Sequence, residues 1–346
     1  MTEQSLTLRQ PDDWHLHLRD DGVMAAVLPD TCRVFARAII MPNLTPPVRT
    51  AADALAYRAR IMAALPQTAT FEPLMTCYLT DTADPDEIER GYASGAFVAA
   101  KLYPAGATTN SDAGVTDIAH VHGVLERMER LGMPLLVHGE VADPDVDIFD
   151  REALFIERVL APTRRRFPAL KIVMEHVSTA EAVAYVKAAE SHLAATVTAH
   201  HLMVTRNDLL GSGIRPHLFC MPVVKRSSDR QALIAAATSG DSRFFLGTDS
   251  APHPLRDKEA AIGRAGVYTA AAALELYAEV FEEAGALSAL EGFASVNGPR
   301  FYGLPVNQKT VSLVRRDWHH PETTPLPGGV VHRFRGGETL RWQVSV

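Results

Sequence analysis

Short apolar runs recur along the chain, separated by longer stretches of helical periodicity. The runs occupy residues 14–18 (WHLHL), 37–41 (RAIIM), 71–79 (FEPLMTCYL), 97–103 (FVAAKLY), 134–138 (PLLVH), 170–176 (LKIVMEH), 193–198 (LAATVT) and 244–247 (FFLG). Most are near-continuous in hydrophobicity, as parallel strands buried on both faces should be. Helices are expected over 51–64, 84–94, 116–131, 150–167, 179–189 and 228–239, with capping residues at Thr50, Asp84, Ser178 and Ser227. Strand and helix alternating eight times predict an α/β protein, a (β/α)8 TIM barrel. Two more helices are expected at 268–284 and 288–295. The tail mixes Pro, Gly and short alternating runs, so 1–346 reads as one barrel domain with 305–346 a C-terminal extension of loops and short strands packed on it.

Composition narrows the function. Hydrophobic residues make up 47% and charged residues 22%, ordinary values for a globular chain with a large core. A net charge of −7 and a pI near 6.1 argue against a nucleic-acid or acidic-membrane partner, which needs a basic footprint. Cys32, Cys77 and Cys220 are odd in number and far apart, so they suggest reduced core residues, not a disulfide framework or a thiolate metal site. The first residues are polar without an apolar leader, and no run reaches the ~18 apolar residues of a membrane span. A cytoplasmic location is expected.

The chemistry begins at Asp13-Trp14-His15-Leu16-His17-Leu18-Arg19-Asp20. Side chains alternate on a strand, so His15 and His17 face one side while Leu16 and Leu18 turn into packing. Paired neutral imidazoles make most of an open metal site, with Asp13 or Asp20 near enough to orient them. In a barrel of this kind active residues collect at the C-terminal strand ends. There the chain places Asn43 after the second strand, Lys101 in the fourth, His138 closing the fifth, His176 closing the sixth, and Asp249 and His253 after the eighth.

Lys101 has two readings. A buried ammonium near cations should lose its proton, and the neutral amine can add carbon dioxide to give an anionic carbamate that bridges two metals. Alternatively it is a lysine salt-bridged to Asp249 or Glu175. Two ions about 3.5–4 Å apart share a hydroxide and polarise a carbonyl. Asp249 beside that hydroxide could act as general acid and base, although a turn aspartate would read the same way. Arg19, Asn43 and His253 form a donor set suited to a substrate carboxylate.

Taken together these motifs resemble the amidohydrolase superfamily. More narrowly, DDWHLHLRD (12–20), MPNLTPP (41–47), KLYPAGATTN (101–110), PLLVHGE (134–140), GTDSAPH (247–253) and VNGPRFYGLP (296–305) resemble the shorter, bacterial-type dihydroorotases. The resemblance implies two Zn2+ ions. His15, His17 and Asp249 would hold the first, His138 and His176 the second, with Lys101 as N6-carboxylysine bridging both. It implies that Arg19, Asn43 and His253 hold the substrate carboxylate and that main-chain groups near Met221 and Ala265 read the ring edge. His138 also lies within reach of substrate, and Thr108 and Thr109 sit on a mobile flap at 105–114. The implied reaction is reversible cyclisation of N-carbamoyl-L-aspartate to (S)-dihydroorotate and water in de novo pyrimidine biosynthesis, by a homodimer acting on a small molecule. Rival readings are a hydantoinase, dihydropyrimidinase or allantoinase on the same scaffold, and an inactive metal-binding barrel. Two departures stand out. The segment 256–267 has no cysteine, and His200-His201 replaces a Gln-His pair, so His200 is either a hydrogen-bonded loop residue or an additional metal ligand. The other histidines (His120, His122, His192, His217, His319, His320 and His332) read as surface residues.

Overall fold

A short strand, β1 (Ser5–Arg9), precedes the barrel. In the computed structural model, which describes residues 4–345, all eight apolar runs become parallel strands of one sheet in chain order. These are β2 (Asp12–Leu16), β3 (Arg37–Ile40), β4 (Glu72–Tyr78), β5 (Ala99–Leu102), β6 (Leu135–His138), β7 (Ile172–Glu175), β8 (Leu193–Val197) and β9 (Phe244–Leu246). The barrel closes where the chain past β9 meets β2. The Asp249 amide donates to the His15 carbonyl at 2.9 Å and the His17 amide to the Ser250 carbonyl at 3.1 Å.

The expected helices form. Ala51–Ala64 opens on a reciprocal cap, the Asp53 amide donating to Thr50 Oγ1 at 3.1 Å and the Thr50 amide to Asp53 Oδ2 at 3.0 Å. Thr179, not Ser178, caps Ala180–Ala188, and Ser227 lies inside its helix rather than before it. The helix Asp21–Cys32, between the first two barrel strands, was not expected; Gly22 near its start and Pro29 near its end read as breakers. Pro29 is tolerated because only one late-turn hydrogen bond is lost.

Alternation along the strands separates two cores. The outward residues, Leu16 and Leu18 among them, pack beneath the helices. Trp14, Ile39, Met41, Leu74, Ala99, Leu136, Val173, Ala194 and Phe245 fill the barrel interior. Pairing of β2 with β3 shifts register between Asp13 and Leu16. That irregularity lets Trp14 point inward while His15 and His17 share the upper end. Trp14 stacks on Tyr302, with centroids 4.5 Å apart and planes 9° off parallel, and meets Phe245 edge-on. Below the interior, the Asp12 carboxylate takes a bidentate bond from Arg37 at 2.9 and 2.5 Å.

The tail forms β10 (Thr310–His319), β11 (Thr323–Leu326), β12 (Gly329–His332) and β13 (Thr339–Ser345). β10 lies between β1 and β13 in an antiparallel sheet, so both chain ends share one layer. Leu313, Leu340, Trp342 and Val344 join the same core as the barrel helices. The turn from β11 to β12 runs through Pro327 and Gly328, whose φ of 75° suits glycine. His320, expected at the surface, is only 1% exposed. Burial, helped by Arg333, Arg33 and Arg335, pushes its imidazole down to about 4. The tail folding back over the barrel explains the miss.

Gly298 tests the barrel floor. A Cβ there would lie 1.9 Å from Trp14 Nε1, between two elements that cannot separate. Gly298→Ala is expected to cost about 1–3 kcal/mol through overpacking. Urea denaturation would read this as a lower midpoint at unchanged slope.

Candidate active site

The upper barrel end gathers the expected residues. Nε2 of His15 and Nε2 of His17 lie 3.2 Å apart, and both face Asp249 Oδ1, at 3.2 and 3.1 Å. On the other side of His15, Nδ1 approaches Glu175 Oε1 at 3.1 Å, and the His176 ring lies 5.0 Å from that of His15. Two groups therefore share His15: His15, His17 and Asp249, and His15, Glu175 and His176, the ligand atoms of each lying within 4.8 Å of one another. His138 stands 4.9 Å from His176, centroid to centroid, with Nε2 turned to Glu140 Oε2 at 2.9 Å, so Nδ1 is the nitrogen left for the centre. Lys101 Nζ donates to Glu175 Oε2 and lies 4.7 Å from the Tyr103 ring centre. Of the two carboxylates considered as partners of Lys101, Glu175 is the one in contact with it.

Glu140 has no role in the sequence-derived site, and Glu175 enters it only as a possible partner of Lys101. Glu175 was visible as the inward residue two places after Val173, but a glutamate beside an expected ligand reads equally well as polar filling. Glu140 lies beyond the end of β6, where no strand periodicity applies.

Electrostatics follow from burial and neighbours. Burial lowers His15, yet the Glu175 and Asp249 carboxylates overcome it and lift the imidazole to about 9. His17 goes the other way, to about 4, through burial and the nearby Arg19. Burial likewise holds His176 well below the ordinary histidine range and lowers Lys101, the latter against the pull of Glu175. Burial would raise Asp249, but His15 and the bonds from His15 and His17 outweigh it and keep the carboxylate well below its usual range. At neutral pH Asp249 is an anion.

Asp13 ties this geometry together. Its Oδ1 accepts from the amides of His15 and Thr248 at 3.1 and 2.9 Å, and its Oδ2 from Thr248 Oγ1 at 2.6 Å. Asp20, the other candidate orienter, instead binds Arg60 at 2.9 and 2.7 Å, away from the histidines. His176, Asp249 and Arg19 all adopt left-handed backbone, with φ of 42°, 45° and 61°. Such conformations cost of order 1–3 kcal/mol each for non-glycine residues and persist only where surroundings enforce them.

Around the histidines lies a second set of donors. Arg19 Nη2 and His253 Nε2 are 2.9 Å apart, and Arg19 Nε donates to the Pro252 carbonyl at 3.2 Å. His253 is held well below its ordinary range by burial and by Arg19, so it meets the guanidinium as a neutral acceptor. Asn43 Nδ2 donates to the Thr109 carbonyl at 3.1 Å, and Thr109 Oγ1 to the Ala265 carbonyl at 3.3 Å. Thr108, Thr109, Met221 and Ala265 line the resulting cavity with the histidines. It measures about 20 Å³, space for about one water. Residues 108 and 109 thus form part of the wall around the histidines.

His200 differs from expectation. It belongs to the helix Ala199–Met203, is fully buried, and neither ring nitrogen has a hydrogen-bond partner. With His201 and Cys220 it forms a third cluster of ligand types. The His201 nitrogens are already engaged, by Thr198 Oγ1 at 2.8 Å and the Pro222 carbonyl at 2.9 Å, and Cys220 Sγ donates to the same carbonyl at 3.2 Å. His201 and Cys220 buttress the 220–222 segment.

The main donor set fits divalent cations. Two imidazole nitrogens and a carboxylate oxygen converge on one point, and the buried Nδ1 atoms of His15, His17 and His176 lack hydrogen-bond partners. The chain matches the amidohydrolase family over residues 13–307. It is 60% identical over 346 residues to a dihydroorotase of Nitrosomonas europaea, covering 99% of each chain. It is 62% identical over 340 residues to one of Cupriavidus taiwanensis, covering 98% of this chain and 99% of the relative. Its structure superposes on a dihydroorotase of Campylobacter jejuni with a TM-score of 0.92 and 37% identity, covering 100% and 99% of the two chains. An L-hydantoinase of Arthrobacter aurescens shares the fold alone, at 16% identity and a TM-score of 0.78, over 97% of this chain and 87% of that one.

The raised His15 has a measurable consequence. Below about pH 9 it carries a proton that an incoming cation must displace. Zn2+ binding to chelator-stripped protein at pH 7.5 is expected to release at least the His15 proton, with affinity rising as pH approaches 9. Isothermal titration in two buffers of different ionisation enthalpy measures this, and heats independent of buffer would contradict it. Zn2+ at a hundredfold excess over Kd should stabilise the wild type by about 2.7 kcal/mol, a gain that His17→Ala should largely remove in thermal melts.

Proposed function

The chain belongs to the amidohydrolase family and, within it, to the dihydroorotases; from that premise we propose how this site interconverts N-carbamoyl-L-aspartate and (S)-dihydroorotate, with water as co-product of ring closure. The observation that carries the reading is the Arg19–His253 pair set beside the histidine and aspartate cluster. It offers a cationic, directional seat for a carboxylate next to a site for carbonyl chemistry. A neutral hydantoin has no group for that seat.

We assign two zinc ions to the centre: one to His15, His17 and Asp249, the other to His138 and His176, with Lys101 carboxylated between them. Bound there, the ions would polarise the ring amide carbonyl and lower the pKa of water to supply a nucleophile. The chain's own residues do the rest. Arg19, Asn43 and His253 hold the substrate carboxylate, and the main chain at Met221 and Ala265 frames the ring. Asp249, anionic at neutral pH, takes the proton from the attacking water and passes it to the departing ring nitrogen. In the direction of synthesis it returns the proton, and water leaves. Thr108 and Thr109 close over the substrate and exclude solvent.

Charge balance favours the modification. Unmodified Lys101 neutralises Glu175 in a fully buried contact. Carboxylation replaces that cation with an anion, leaving the carbamate, Glu175 and Asp249 as buried negative groups that the His15 imidazolium alone does not offset. Lysine carboxylation and metal uptake should therefore be coupled. The working unit is a cytoplasmic homodimer, for which light scattering should give twice 37.7 kDa. Among the described residues no helix is long and apolar enough to cross a membrane.

Arg19→Met separates this reading from its rival. Loss of a charge-assisted bond should raise the KM for dihydroorotate roughly 10- to 100-fold, at metal content equal to wild type. Ultraviolet absorbance follows ring opening directly. Wild-type protein that turned over a neutral hydantoin faster than dihydroorotate would overturn the assignment.

A further inference from the structure

We infer that Lys258 is a positioning residue: its ammonium clamps together the two main-chain segments, 219–221 and 264–266, that frame the substrate ring. This rests on the function proposed above. Lys258 ends the short helix Leu255–Lys258 and is only 4% exposed. Its Nζ donates to three carbonyls, Phe219 at 2.8 Å, Arg264 at 2.9 Å and Gly266 at 2.7 Å. Three N–H donors meet three acceptors from two segments, and among the described residues no carboxylate pairs with it. Burying an ammonium among neutral groups is costly, and burial lowers this one to about 8.

The position of the clamp gives it leverage over the site. The carbonyls of Arg264 and Gly266 flank Ala265, whose own carbonyl accepts the flap residue Thr109. The Gly266 amide donates to the Phe219 carbonyl at 2.9 Å, so the segments already touch once, and Lys258 adds the bonds that set their spacing. Gly266 also presses against the carboxylate seat: a Cβ there would lie 2.8 Å from His253 Cδ2. The clamp therefore sets the ring frame, the landing point of the flap and one wall beside His253. None of these groups makes or breaks a bond in the reaction. Its loss should weaken substrate binding and leave the chemical step nearly intact.

Lys258→Met keeps the chain length and removes all three donors, whereas Lys258→Gln retains two. The methionine variant is expected to raise the KM for dihydroorotate about tenfold or more, the glutamine variant less, with kcat within about threefold and metal content as in wild type. Hydrogen exchange should quicken at residues 219–221 and 264–266 in the folded variants. A KM within about twofold of wild type in Lys258→Met would overturn the inference, as would kcat and metal content falling while KM stays fixed. Should the methionine variant not fold, the glutamine variant carries the same comparison. Wild-type protein inactive on dihydroorotate would sink the functional reading itself. Active wild type with an unmoved KM in the variants would sink this inference alone.

Discussion

Closure of the barrel and assembly of the site depend on one buried carboxylate. Asp13 accepts from the amides of His15 and Thr248 and from the Thr248 hydroxyl, so a single side chain joins the first barrel strand to the turn after the last. Those are the segments that carry His15, His17 and Asp249. Burial raises Asp13 to about 7, against the opposing effect of the bonds from Thr248 and His15. The seam that completes the cylinder is thus also the seam that brings imidazole to carboxylate. Fold and chemistry share a joint here, and loosening one loosens the other.

Around that joint the backbone is held under strain. His176, Asp249 and Arg19 sit in left-handed conformations that non-glycine residues seldom adopt. Each lies in the stretch just past the end of a barrel strand. The rigid barrel below, with Trp14, Phe245 and Tyr302 interlocked, supplies the resistance that keeps these residues in place. Functional groups set in this way need little reorganisation when a ligand arrives.

The barrel was legible because its signal is long-range and redundant: eight apolar runs with helices between them leave few other solutions. The residues expected as ligands stood out because each lies in or just past the upper end of a barrel strand, where functional side chains collect in this fold. What escaped depends on contacts that periodicity does not encode. The helix Asp21–Cys32 was hidden by Gly22 and Pro29, although its environment tolerates both. β1 carries a faint alternation in Leu6 and Leu8 that gains meaning only from its partner β10, some 300 residues away. His320 reads as a tail residue until the tail folds back over the barrel. Glu140 meets His138 only through the bend past the strand end, and Lys258 binds only carbonyls, which every residue possesses.

The flap has a thermodynamic consequence. In its closed position Asn43 spends its amide on the Thr109 carbonyl, and Thr109 spends its hydroxyl on Ala265. In the function proposed above, the substrate carboxylate would take that same amide. A ligand therefore competes with an internal latch before it gains its own contacts, and its apparent affinity is reduced by the fraction of molecules with the latch undone. Any change that weakens the latch without touching the seat would raise affinity while letting water in. On that reading tightness of binding is exchanged for dryness during reaction, and the balance lies in two hydrogen bonds.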